Sequence, residues 1–154
     1  MKSSLERAHE AYFHALAVIE PLRLRFWDSR GATTTQLRVM YEIRKKCEPS
    51  TGELAEELHV RPATLTGLAD RLERNGFVHR WTDATDRRVV RIGLTDEGNA
   101  LLDEVFAAAV DYLSPILERM GEKSRDDFTR ALEAFVETAA DVQPQPAATP
   151  APVE

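Results

Sequence analysis

Residues 54–102, LAEELHVRPATLTGLADRLERNGFVHRWTDATDRRVVRIGLTDEGNALL, decide the fold, because the hydrophobic period changes inside them. Leu54, Ala55 and Leu58 recur at helical spacing. Just upstream, Ser50 and Glu53 form a capping box, so a short helix is expected over 51–58. Val60-Arg61-Pro62 ends that helix and opens another. Pro62 suits the first helical position, where its missing N–H would have no partner anyway. Leu65, Leu68, Ala69 and Leu72 form the buried stripe of this second helix, 62–75, and Gly76 is its expected left-handed cap. Then the period falls to two. Phe77 to Trp81 is short, aromatic and β-branched, and Val89 to Leu94 alternates with Val90, Ile92 and Leu94 on one face. The polar loop between them, 82–88, exceeds the tight turns that dominate hairpins. Two helices joined by His59 to Arg61 and followed at once by a long-looped hairpin read as a helix-turn-helix with a wing.

Working outward, Thr33 and Gln36 form a second capping box, before a helix to about Lys46 with Leu37, Met40 and Tyr41 on one face. Leu5, Ala8, Tyr12, Leu16 and Ile19 mark an amphipathic first helix. Pro21 is expected to kink or break it, and 28–32 to form a loop around Gly31. Downstream, Thr95 caps a helix with Asp96 and Glu97 in its first turn, where the helix dipole favours acids. Two stripes follow on that helix: Leu101, Val105, Ala109, Tyr112 and Ile116, and beside them Leu102, Phe106, Leu113, Leu117 and Met120. Together they are wider than one core needs. Phe128, Leu132, Phe135, Val136 and Ala139 mark a last helix, and from Gln143 a Pro/Ala-rich stretch has nothing to bury. The expected architecture is mainly α with a small β-hairpin. It comprises an N-terminal dimerisation helix (1–32), a winged helix-turn-helix domain (33–95), C-terminal dimerisation helices (96–142) and a disordered tail (143–154).

Composition narrows the function. The chain has 154 residues, 43% of them hydrophobic, and a net charge of −6. The sum hides the distribution: 61–91 holds seven arginines against four acids, while the remainder is strongly acidic. An acidic body with one basic insert suits a DNA reader whose docking face the insert defines. No apolar run approaches the roughly 20 residues of a membrane span, and Met1 to Arg7 carries no export signal. The lone cysteine, Cys47, can form neither an internal disulfide nor a multi-cysteine metal site. A cytoplasmic location is expected. His9 and His14 lie five apart, about 140° around a helix, so they do not share a metal. No catalytic set, cofactor or metal is expected.

In the second helix of the pair the apolar stripe leaves Ala63, Thr64, Thr66, Gly67 and Arg71 facing outward. Small, hydroxylated residues let a helix sink into the major groove, and Thr can meet bases, phosphates or thymine methyls. Arg61 and Arg71 can neutralise flanking phosphates. At the wing tip, Asp83-Ala84-Thr85-Asp86-Arg87-Arg88, an arginine suits the narrow minor groove, and Asp86 can hold the Arg88 guanidinium by bidentate pairing. Asp70 and Glu73 are expected to pair with arginines rather than meet DNA. The main alternative is a winged-helix module that binds protein, or DNA without sequence preference.

The run 54–102 resembles the core of the MarR (multiple-antibiotic-resistance regulator) family. The matching features are Thr64, Thr66, Asp70, Arg71, Leu72, Glu73 and Gly76 in the second helix, Asp86 and Arg88 in the wing, and Leu94, Thr95 and Gly98 beyond it. Thr34, Gln36 and Val39 also fit, and the resemblance extends over roughly 5–141. It implies a homodimeric transcription regulator, usually a repressor released by a small molecule or oxidant, on a pseudo-palindromic double-stranded operator. It also places Trp27, Arg38 and Tyr41 where members often bind an effector, and aromatics with an arginine suit an aromatic or phenolic acid. The chain departs from the family in having Arg61 where a capping Ser or Asp is common. Its first helix also lacks the thiol of the family's peroxide sensors, so thiol sensing is not expected.

Overall fold

The computed structural model describes residues 2–30 and 32–142, with the side chains of 22–30 and of Ala140 left aside. Six helices and one hairpin follow in order: α1 (Ser4–Arg30), α2 (Thr34–Lys46), α3 (Thr51–Glu57), α4 (Pro62–Arg74), β1 (Val78–Thr82), β2 (Val90–Leu94), α5 (Asp96–Arg119) and α6 (Glu122–Asp141). They fall into two units, up to Val110 and from Asp111. The division lies inside α5 rather than at its start, because Leu101 and Leu102 are buried in the first unit's core and Val105 packs against it.

The helix starts form as their side chains dictate. Thr33 accepts from Gln36 N (3.2 Å) while Gln36 Oε1 accepts from Thr33 N (2.8 Å). Ser50 and Glu53 repeat this reciprocal box at 3.1 and 2.7 Å. Pro62 opens α4, where Arg61 gives no side-chain cap. At its far end Gly76 is left-handed (φ +77°). Phe77 N donates to Leu72 O and Gly76 N to Glu73 O, both at 2.9 Å, the paired bonds of a Schellman motif. The turn between α3 and α4 needs a second left-handed residue, His59 (φ 52°), and closes as Val60 N donates to Ala55 O at 3.0 Å.

The first unit's core gathers Leu54, Ala55 and Leu58 of α3 with Leu65, Ala69 and Leu72 of α4. From α2 it takes Val39, Met40 and Ile43. Tyr41 turns outward instead of sharing their face, at 43% exposure, and its ring meets Phe106. β1 and β2 pair antiparallel with Val78 opposite Leu94 and Arg80 opposite Ile92. Ile92 N also donates to Pro49 O (3.1 Å), and Ser50 bridges Arg91, so the α2–α3 turn adds a short third rung to the hairpin. That rung has no periodic signature in the sequence. At Gly98 an added Cβ would lie 2.1 Å from Phe77 O, so only glycine lets α5 start this close to β1.

One expectation for α1 is corrected and another is narrowed. Residues 28–30 are helical rather than looped, and of the kink or break expected at Pro21 the break does not occur. Proline removes one N–H bond and crowds the preceding turn, but the helix carries on for nine residues beyond it. Gly31, the rest of that expected loop's centre, and the expected tail 143–154 lie outside the described residues. No described helix is long and apolar enough to cross a membrane.

Candidate nucleic-acid interface

The structure sorts the basic insert into arginines that hold the fold and arginines left facing solvent. Arg80, on β1, reaches back to α4. Its Nη2 lies 2.7 Å from Asp70 and 2.5 Å from Glu73, and its Nε donates to Glu73 at 3.1 Å. That pairing holds the Glu73 carboxyl below its ordinary range. Asp70 and Glu73 therefore pair with an arginine, as expected, but with one from the strand rather than from their own helix. Arg91 Nε pairs with Asp83, and its Nη1 donates to Glu48 O at 3.1 Å. All four acids of the insert are thus bound to Arg80, Arg88 or Arg91. Among the described residues Arg61, Arg71, Arg74 and Arg87 form no ion pair.

Asp83 organises the wing. One of its oxygens accepts from Thr85 N (2.8 Å), Thr85 Oγ1 (2.5 Å) and Asp86 N (3.2 Å), and the other pairs with Arg91. The Thr85 hydroxyl, then Arg91, then the two backbone donors push its carboxyl far below the ordinary value. Asp86 in turn accepts from Arg88 N at 3.0 Å, Nε at 3.2 Å and Nη2 at 3.4 Å, the bidentate hold expected from the sequence. These bonds depress the Asp86 carboxyl too. Arg88 is held yet 91% exposed, and Arg87 beside it is exposed. The sequence reading assigned Asp83, Arg80 and Arg91 no part in this. Their residue types were present, with Asp70 and Glu73 on α4, Asp83 after β1, and Arg80 and Arg91 on the two strands, but partners 7 and 8 residues apart show only once the hairpin closes.

On α4, Ala63, Thr64, Thr66, Gly67 and Arg71 are all exposed, as is Arg61 before it. Helical spacing divides them. Thr64, Gly67, Arg71 and Arg74 form one row, while Thr66, Asp70 and Glu73 form another toward β1. Ala63 lies between the rows. Thr66 Oγ1 donates to Pro62 O (2.9 Å), which leaves its lone pairs and methyl as the free functions. Neither α2 nor α4 has an acid in its first turn. The face is thus small, hydroxylated and basic along one row, with a restrained arginine on the hairpin beside it. Such a surface has donors and positive charge for a polyanion and no convergent nucleophile, base and acid.

The effector residues are less gathered. Arg38 and Tyr41 lie three apart on α2, both exposed, and Trp27 lies where α1's side chains are outside the described part. Tyr41 meets Phe106 (centroids 5.8 Å apart), and the Arg44 guanidinium sits 4.9 Å over the same ring while pairing with Asp103 at 2.6 Å. Cys47 ends α2 in a left-handed conformation, exposed.

Comparison with known proteins shows the family and the fold. The family model described as the MarR family matches residues 32–90. The HTH-type transcriptional repressor MdtR of Bacillus subtilis is 31% identical over 123 residues, 80% of this chain and 77% of that protein. Among solved structures, the YusO protein of Bacillus subtilis matches with 28% identity and a TM-score of 0.66, over 92% of this chain and all of that one. FabT of Streptococcus pneumoniae, solved in complex with DNA, shares the fold at a TM-score of 0.76 and 22% identity, over 90% of this chain and 97% of that one. The chain belongs to the MarR family, and it is a transcription regulator and not an enzyme.

Proposed function

We propose that the chain acts as a homodimer that reads a pseudo-palindromic operator and represses transcription until a small aromatic or phenolic acid releases it. The observation that carries the reading is the acid-free, exposed face of the first half of α4 set beside a wing whose two acids hold Arg91 and the exposed Arg88. Ala63, Thr64, Thr66 and Gly67 are the residues assigned to base edges in the major groove. Arg61 and Arg71 take flanking phosphates, and Arg88, positioned by Asp86 beside Arg87, enters the minor groove. DNA in complex with FabT, a protein of the same fold, supports the choice of partner. The name of MdtR, a repressor, supports the sign. Residues 33–95 serve as the reading domain, and the helices on either side as the dimerisation arm. Arg38 and Tyr41, with Trp27, are the groups assigned to the effector.

Selection of binding duplexes from a random library tests this. We expect an enriched site of two inverted half-sites centred about one helical turn apart. Recovery of DNA without any shared sequence would instead support a winged helix that coats DNA indifferently. Release of the selected duplex by benzoate-type acids, and not by aliphatic acids of equal charge, tests the effector.

A further inference from the structure

The hairpin is tied to the first unit at its root and along both edges. At the root Val78 and Ile92 enter the buried core. On the β2 side Ile92 N donates to Pro49 O and Arg91 Nη1 to Glu48 O, both at 3.1 Å. On the β1 side Arg80 makes the ion pairs to α4. We propose that Arg80 is a positioning residue for DNA reading: it fixes the offset between α4 and the wing, and so the base-pair distance that the protein accepts between its major-groove and minor-groove contacts. The inference rests on the DNA-reading role proposed above and adds to it a residue that acts without touching DNA.

Arg80 stands where the hairpin leaves the body. It lies opposite Ile92, the last buried rung, and none of the residues from Trp81 to Arg91 is buried. Past that rung no side chain wedges the hairpin against a core, so its direction is set at Arg80. Apolar packing at the root is not directional and resists a roll or a slide only weakly. The bonds of Arg80 are directional. Its Nη2 lies 2.7 Å from Asp70 Oδ1 and 2.5 Å from Glu73 Oε2, while Nε donates to Glu73 Oε2 at 3.1 Å and the backbone N to Glu73 Oε1 at 3.2 Å. Asp70 and Glu73 are neighbours on one face of α4. A planar guanidinium gripping both fixes the roll of α4 about its axis as well as its distance from β1, which a lysine ammonium, with no set orientation, would not do. The clamp is half-shielded from water, at 23% exposure of the Arg80 side chain. Beyond it, Asp83 and Asp86 bind the tip together internally, so the tip moves as one piece. A small rotation at Arg80 is therefore enlarged at Arg88, while the roll of α4 sets how Thr64 and Thr66 meet the bases.

The test compares the full-length wild type with Arg80→Ala, Arg80→Lys and Glu73→Gln on a duplex selected by the wild type. Footprints of the wild type and of Arg88→Ala locate the segments read by α4 and by the wing. Altered duplexes then carry one base pair more, or one fewer, between those segments in each half-site, with the distance between the two α4-read segments kept. The wild type should bind the altered duplexes more weakly by about tenfold or more, the scale of one lost base contact. For Arg80→Ala that penalty should shrink severalfold, with Arg80→Lys and Glu73→Gln between the two. Loss of stability alone lowers the active fraction of protein, so it weakens binding to every duplex by one factor and leaves the penalty as it was. An unchanged penalty in the folded variants overturns the positioning role, as does a wild type indifferent to the altered distance. If Arg88→Ala still weakens binding in either case, the DNA-reading role stands. Should Arg80→Ala fail to fold, Arg80→Lys and Glu73→Gln decide; failure of all three makes Arg80 a part of the fold alone and overturns the proposal as well. A wild type that binds no duplex at low salt removes both readings.

Discussion

An added Cβ at Gly67 meets nothing within 4 Å, so no neighbour in the chain asks for glycine there. Glycine inside a helix is also less stable than alanine by about 1 kcal/mol. The residue therefore costs the free protein stability, and close approach of another molecule is what would justify it. Gly67→Ala should raise the melting temperature of the free protein while weakening operator binding, measured by thermal denaturation and fluorescence anisotropy. A variant both stabler and equally tight would remove Gly67 from the interface. Arg88 is the opposite case, since its exposed guanidinium supports little in the fold. Arg88→Ala should leave the melting temperature within a degree or two and cost about 1–3 kcal/mol of specific binding, the range of a lost base contact. Equal loss on specific and scrambled DNA would reduce Arg88 to a phosphate contact.

The wing is an element built by one carboxylate. Asp83 gathers three donors of its own loop and Arg91, and Arg91 ties β2 to Glu48 in the α2–α3 turn. The Asp83 and Asp86 carboxyls are both depressed in the folded wing. Their contribution to wing order is therefore complete above the unfolded Asp value, near 3.9, and is lost only as pH falls through the lower folded values. The Thr85 amide resonance should hold steady from neutral pH down to about 4 and shift only below it; a midpoint at or above the unfolded value would show that Asp83 is not bound as described. Asp83→Asn should loosen the wing at neutral pH and weaken operator binding while the buried core keeps its thermal transition. Much of this element was legible in the sequence. Capping boxes, Pro62, Gly76 and the change of period after it are local rules, and local rules need only neighbours a few residues away. What escaped depends on tertiary closure. The third rung at Pro49 and Ser50 and the Arg80 and Arg91 pairings exist only once strands and turn meet. At Pro21 the local rule left a kink and a break open, and one lost hydrogen bond does not end a helix of 27 residues.

Most of the interface is a property of the first unit, but the ends of the chain pose a question that no single copy answers. α1 runs for 27 residues, and every described side chain from 2 to 19 is exposed, Leu5 at 66% and Phe13 at 65% among them. In the second unit α6 shows Leu132 at 47% and Val136 at 65%. Helices in water owe most of their stability to a packed apolar face rather than to propensity. Uncovered rows of this length mark an interaction surface. A second copy is the occupant that fits the proposed two-fold operator, because a two-fold dimer would bring the same patch to itself and two copies of α4 to successive grooves. If instead the chain were a monomer, L132E/V136E would change exposed helix positions and cost within about 0.5 kcal/mol. On a dimer surface the same pair buries two charges in each copy. Light scattering should therefore give the wild type a mass of two chains and the double variant a mass of one, with operator affinity falling steeply because each half-site is then read alone. A wild type at one chain's mass, or a double variant still paired and still bound, would assign those rows to something other than a second copy.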